Sequence, residues 1–296
     1  MTAVYFNSKV DDDSRRLLLY RGELFVYTAS ASTQALCDHA RQLCEEAFAP
    51  HDPREAQFHL PTEQYVEILA KLKLHFIHHP ESKRLIQLIL TERGCDLHQT
   101  FFDVPRLRTV THGGYLTSGL GYAFKPHRDT WYSTPMCQLN WWLPIYPIES
   151  DNAMAFHPHY WNRAIENTSA EFNYQEWQQT GRKHAAKHVN SDNRRQSEAT
   201  EPLELEPELR VVTEPSGLLI FSPAHLHSTV PNTAGETRLS IDFRTVHLGD
   251  LHERTGAPNI DSACTGTTIH DYLRGIDLEH LPESVIASYE HAAAMT

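Results

Sequence analysis

The chain has 296 residues, 40% of them hydrophobic and 22% charged, enough apolar residues for a folded core and too many for wholesale disorder. Its formal net charge of -12 disfavours nucleic acid or an anionic membrane as the main partner, because an acidic surface repels phosphate. Five cysteines (Cys37, Cys44, Cys95, Cys137 and Cys264) stand at scattered spacings with no CxxC, which predicts reduced thiols in a cytoplasmic protein. The N-terminal MTAVYFNSKVDDDSRR lacks the apolar stretch of a signal peptide, and no run reaches the length of a membrane span.

The first hundred residues read as mainly helical support. Ser32 or Thr33 can cap a helix with Leu36, Ala40, Leu43 and Ala47 on one side, stopped by Pro50; Cys37 and Cys44 would share its buried face. A second helix follows Pro61, with Tyr65, Ile68, Leu69, Leu72 and Phe76 at helical spacing. A third runs from Glu81 to Arg93, with Gly94 as its C-cap. From Phe101 short apolar runs alternate with Gly, Pro and Asn. They predict strands at 101–110, 115–124, 127–132, 136–143, 153–157, 210–213, 217–222 and 238–246. Short strands in this style predict a mainly β fold: a double-stranded β-helix, a jelly-roll or cupin-like barrel, flanked by helices. The whole chain, 1–296, is expected as one domain. Its parts are the helical support (1–100), a barrel core (101–246) with a polar insertion (160–206), and a C-terminal extension (247–296) ending in the helix LPESVIASYEHAAAM. The insertion is expected as a lid over the barrel mouth, or else as a solvated excursion or oligomer contact, so a homodimer is left open.

Twenty histidines are too many for identity alone to mark a ligand. Only two have a carboxylate at i+2. In His79–Glu81 the pair stands at a Pro-started helix, where that spacing separates the side chains. In the other, K-P-H-R-D, a strand would turn His127 and Asp129 to one face, where they can share a metal ion. A later segment, F-S-P-A-H-L-H-S-T-V-P-N, follows the apolar run LLIF and supplies His227, with His225 as the rival. Two histidines and a carboxylate form the facial triad of non-haem iron(II), with three coordination positions left open. On the next strand Arg238, Ser240, Asp242 and Arg244 share one face, and Leu239, Ile241 and Phe243 the other. An inward arginine is costly without an anion, and its guanidinium fork matches a carboxylate. Arg238, helped by Ser240 or Thr229, therefore suits the distal carboxylate of 2-oxoglutarate; Arg244 suits bracing Asp129 or Asp242.

The ordered set His127-x-Asp129, His227 and Arg238, eleven residues after His227, resembles the Fe(II)/2-oxoglutarate oxygenases, and its spacing is similar to their phytanoyl-CoA hydroxylase-like branch. Asp151-Asn152-Ala153 and Trp142, ten residues before Asn152, add to the likeness over residues 101–246. F-H-P-H-Y-W at 156–161 departs from the usual Pro-Gly-Ser-His turn, and the roof of the pocket is expected to differ. The resemblance implies an enzyme that uses Fe(II), 2-oxoglutarate and O₂ to hydroxylate a C–H bond; desaturation, ring closure and epimerisation share the same ligands. Asp129 argues against halogenation, which needs that position small. Arg128, Trp131, Tyr132, Gln138, Asn140 and Trp142 are the expected substrate-lining residues, and they suit a polar natural-product or amino-acid-like small molecule. His157 and His159 are expected as ordinary polar residues. Three other readings fit parts of the sequence. R-L-S-I-D-F-R is similar to the Arg-x5-Arg ending of oxidative nucleic-acid demethylases. A cupin-type metal enzyme would not use 2-oxoglutarate. A non-catalytic barrel would bind a partner through the insertion.

Overall fold

The computed structural model describes residues 2–117, 125–181 and 196–294. Most of the expected strand 115–124 and the centre of the polar insertion therefore lie outside the described residues.

Apolar patterning explains the helices. α2 (Ala31–Phe48) buries Leu36, Cys37, Ala40, Cys44 and Phe48. Its cap is Ser30, not Ser32 or Thr33: the Ser30 hydroxyl accepts from the Thr33 amide, and the Thr33 hydroxyl accepts from the Ser30 amide. The two short side chains thus satisfy two N-terminal donors of the helix. α3 (Thr62–His78) begins after Pro61 and buries Tyr65, Leu69, Leu72 and Phe76. In α4 (Pro80–Glu92), His79 Nδ1 accepts from the Glu81 amide, so this histidine is a helix cap.

Two strands add to the mainly helical reading of the N-terminus. β1 (Val4–Phe6) runs parallel to β2 (Leu24–Tyr27), on either side of α1 (Asp12–Leu19). β2 is a four-residue apolar run buried throughout, and it pairs with β8 (Leu218–Phe221).

The remaining strands are β3 (Thr100–Phe102), β4 (Arg106–Val110), β5 (Leu139–Pro144), β6 (Met154–Phe156), β7 (Leu209–Val211), β9 (His227–Thr229), β10 (Arg238–His247) and β11 (Leu273–Arg274). The larger sheet has the order β1-β2-β8-β5-β10-β3-β11, with β4 also on β10; the smaller is β7-β6-β9. Among the described residues no strand pairing joins the two sheets, which face each other across Trp142, Leu219, Phe221, Met154 and Phe156. The expected strand 127–132 is reduced to one bridge, His127 with His227, followed by a 3-10 turn, Asp129–Tyr132.

Three apolar clusters place the site. Leu239, Ile241 and Phe243 pack with Leu36, Tyr65, Leu69 and Ile86 under the helices. Trp142, Leu219, Phe221, Met154 and Phe156 fill the space between the sheets. Trp131, Leu226, Tyr160 and Ile165 form a third cluster, which ties the first part of the insertion to the turn after His127. The short helix α5 (Tyr174–Glu176) belongs to the insertion; α6 (Leu248–Glu253) and α7 (Glu283–Ala294) lie in the C-terminal extension. No helix among the described residues is long and apolar enough to cross a membrane.

Candidate metal centre

His127 and His227 exchange both backbone hydrogen bonds, each 3.0 Å, across their antiparallel bridge. Partners in such a pair carry their side chains on the same side. Arg128 is extended (φ -107°, ψ 138°), which brings Asp129 round to that side as well. The i+2 relation therefore survives although no full strand forms. The ligating atoms of His127, Asp129 and His227 all lie within 4.8 Å of one another. Asp129 Oδ1 is 3.3 Å from His127 Nε2. Metal bonds of about 2 Å put neighbouring ligand atoms about 3 Å apart, so a small inward movement closes the set on an ion.

Each imidazole is held through Nδ1, which leaves Nε2 turned toward the shared space. His127 Nδ1–H donates to the Lys125 carbonyl (2.7 Å), and His227 Nδ1–H donates to the His225 carbonyl (2.9 Å). This is how metal-binding histidines are generally oriented. Burial, with His127 beside it, pushes His227 down to about 4. Burial works against the Asp129 carboxylate, but the His127 hydrogen bond and the Arg244 guanidinium outweigh it and hold the group well below the usual range. The His227 imidazole and the Asp129 carboxylate are thus held in the forms that metal ligation requires.

His225 is not part of the set. It is fully buried, its Nε2–H donates to the Gly22 carbonyl (3.0 Å), and its ring packs 4.6 Å from Trp161. His157 is buried against the Leu205 carbonyl and Ser228 Oγ, and His159 bonds the Glu204 carbonyl.

The face of β10 turned toward the smaller sheet is charged. Asp242 is engaged by Arg108 in a two-pronged pair, 2.7 and 3.0 Å, and Arg244 lies 3.8 Å from Asp103. Arg238 differs. It is 5% exposed and donates only to the carbonyls of Asn152 (2.8 Å) and Ala153 (3.1 Å), with Trp142 5.6 Å away under its guanidinium. It has no carboxylate partner among the described residues, and its Nε and the Ser240 hydroxyl are buried without a protein partner. Burial, with Arg108 nearby, pushes the guanidinium down to about 10, as expected of a cation short of counter-charge. Ala153 leads into β6, whose Met154 pairs with Thr229, two residues beyond His227. Arg238 therefore holds the backbone that leads into β6, the strand paired with β9, which carries His227. The donor set fits iron(II), and the orphaned donors fit the far carboxylate of 2-oxoglutarate.

The expected substrate-lining residues separate into two groups. Trp142 does face the space between the sheets, beneath Arg238. Arg128 is 1% exposed, with its guanidinium committed to Asp261 and to the carbonyls of Ala224, Tyr160 and Arg163. Trp131 is fully buried and donates through Nε1 to Asp261 (2.7 Å), and the Tyr132 hydroxyl donates to the Ser197 carbonyl (2.8 Å). Gln138 and Asn140 are buried behind Asp129, hydrogen-bonded to each other and to the ligand. The described polar contacts of these five are with other parts of the chain around the His127–Tyr132 turn. Sequence reasoning missed Asp261 and Tyr272, which lie over a hundred residues from their partners. It also passed over Arg108, although R-L-R at 106–108 alternates as a strand does.

No family model matches the chain, and no curated protein is similar to it in sequence. Several solved structures resemble it over most of their length. One is the nickel complex of ThoJ, described as a non-heme monooxygenase (10% identity, 94% of each chain covered, TM-score 0.42). A second is EvdO2 from Micromonospora carbonacea var. aurantiaca with 2-oxoglutarate (12% identity, 81% of this chain and 92% of that one, TM-score 0.46). A third is SnoN, described as a non-heme alpha ketoglutarate dependent epimerase from nogalamycin biosynthesis (12% identity, 80% and 84%, TM-score 0.37). Likenesses this distant assign nothing to the site of this chain.

Proposed function

We propose that this chain is an iron(II)- and 2-oxoglutarate-dependent oxygenase that hydroxylates a C–H bond of a polar small molecule, and that its two facing sheets are the halves of a jelly-roll barrel. One observation carries the reading. A His127–Asp129–His227 cluster shares the intersheet space with Arg238, a buried cation without an acidic partner among the described residues. Iron with 2-oxoglutarate supplies O₂ activation coupled to loss of CO₂. The chain's own residues do the rest. His127 and His227 present Nε2, Asp129 presents Oδ1, and Arg238 with Ser240 receives the distal carboxylate. Phe156, Phe221 and Trp142 line the intersheet core and keep bulk water out. The retained Asp129 supports hydroxylation over halogenation. The net charge of -12 and the pairing of Arg108 and Arg244 with carboxylates weigh against a nucleic-acid substrate. Five unpaired thiols, four of them buried, support a reducing cytoplasmic setting. The test is consumption of 2-oxoglutarate and formation of succinate by the iron-loaded protein with a panel of polar small molecules. Iron-dependent oxidation of a substrate without succinate formation would favour a cupin-type enzyme instead.

A further inference from the structure

The segment after residue 257 lies behind the ligand turn and is bonded to it at many points. Asp261 accepts from Arg128 Nε (3.0 Å), Trp131 Nε1 (2.7 Å) and the Ile165 amide (3.1 Å). The Ser262 hydroxyl donates to the Thr130 carbonyl (2.6 Å), and the Ser133 hydroxyl donates to the Thr265 carbonyl (2.6 Å). Further along the same segment, the Tyr272 hydroxyl donates to Gln138 Oε1 (2.6 Å). Gln138 Nε2 donates to Asn140 Oδ1 (2.8 Å), and Asn140 Nδ2 donates to Asp129 Oδ2 (2.6 Å). Tyr272 is 1% exposed, Gln138 0% and Asn140 5%.

This chain of bonds has only one direction. An ionised carboxylate only accepts, so Asn140 must turn its NH₂ to Asp129. Its carbonyl then faces Gln138, which must donate. The Gln138 carbonyl is left pointing away from the site and needs a donor, and Tyr272 is that donor. With Oδ2 of Asp129 held in this way, Oδ1 remains beside His127 Nε2, set for one-point attachment to the metal. A carboxylate free to rotate could bind through both oxygens and use up a coordination position.

We propose that Tyr272 is a positioning residue for the metal: through Gln138 and Asn140 it fixes which oxygen of Asp129 faces the ion. The proposal rests on the reading of His127, Asp129 and His227 as a metal site. Tyr272→Phe keeps the ring and removes one hydroxyl. The Gln138 carbonyl is then buried without a partner, its amide can turn, and the constraint on Asp129 loosens. Hydrogen-bonded partners of metal ligands typically affect affinity ten- to a hundred-fold.

The experiment is anaerobic titration of metal-free protein with Co(II), following both affinity and the visible cobalt spectrum. The variants are Tyr272→Phe, Asn140→Ala and the double variant, with folding checked by thermal melting. Tyr272→Phe should weaken Co(II) binding about ten-fold and alter the spectrum. The double variant should bind no worse than Asn140→Ala alone, because both break one chain. If Tyr272→Phe does not fold, Gln138→Leu replaces it in the same cycle. Wild-type affinity and spectrum in Tyr272→Phe, or additive losses in the double variant, overturn the proposal and leave the metal reading standing. Failure of the wild-type protein to bind Co(II) overturns both.

Discussion

The two faces of β10 are built from alternate residues of one strand, yet they do opposite work. Leu239, Ile241 and Phe243 are buried among helix side chains, with no polar atom to satisfy. Arg238, Ser240, Asp242 and Arg244 face the other way into a charged layer. There Asp242 is matched by Arg108, Arg244 lies near Asp103 through one end of its guanidinium, and Arg238 Nε, Ser240 Oγ and Arg244 Nε keep buried donors unmatched. The apolar face answers only to the protein. The charged face keeps spare donors, which the anion of the proposed function would satisfy.

Substitutions on the two faces should separate stability from binding. The largest effect is expected at the ligands. His227→Ala should abolish stoichiometric metal binding, measured by anaerobic Fe(II) titration, while His225→Ala should retain it and instead melt at lower temperature, having lost its bond to Gly22. Retained metal in His227→Ala, with loss in His225→Ala, would reverse the ligand assignment. On the apolar face, Phe243→Ala should cost about 3–5 kcal/mol in denaturant unfolding, through lost contacts and the cavity left behind. Its metal affinity, where the protein is still folded, should match wild type. Loss of metal with unchanged stability would contradict the division of labour.

On the charged face, removing one partner of a buried charge-assisted contact costs roughly 2–5 kcal/mol. Arg238→Gln should therefore raise the KM for 2-oxoglutarate about ten-fold to a thousand-fold, with iron affinity little changed. Oxo acids lacking the second carboxylate should lose their disadvantage in this variant. An unchanged KM would remove 2-oxoglutarate from the account.

The smallest effect belongs to the helical layer. His39 is bonded to Ser82 and stands among His75, His79 and Glu81. Burial and His79 lower its pKa while Glu81 opposes them. A lowered folded value means that the unfolded chain takes up the proton first. Stability is therefore full above the ordinary histidine range and declines as pH falls through it. His39→Gln should slightly flatten the acid side of the stability profile; a steeper acid side would show the sign to be wrong.

What could be read in the sequence follows the range of each signal. The i+2 spacing of His127 and Asp129, the alternation along β10 and the helical stripes of α2 to α4 are local, and the structure shows each of them. The spacing worked even though 127–132 is not a full strand, because one extended residue, Arg128, is enough. The polarity of Arg128, Gln138 and Asn140 was equally visible, but polarity does not say whether the partner is a substrate or another part of the chain. Their partners, Asp261 and Tyr272, come from a segment without apolar periodicity, about 130 residues further on. β2 was legible in principle, since Leu24–Tyr27 is a continuous apolar run after Gly22, but four residues do not separate a buried strand from a helix turn.

The most direct test of the central claim is anaerobic absorption spectroscopy of the Fe(II)-loaded protein titrated with 2-oxoglutarate. Bidentate binding of the keto acid to a facial-triad iron should produce a weak visible charge-transfer band that saturates at one equivalent and is absent in His227→Ala. Iron bound at one equivalent with no band on adding 2-oxoglutarate would contradict the account.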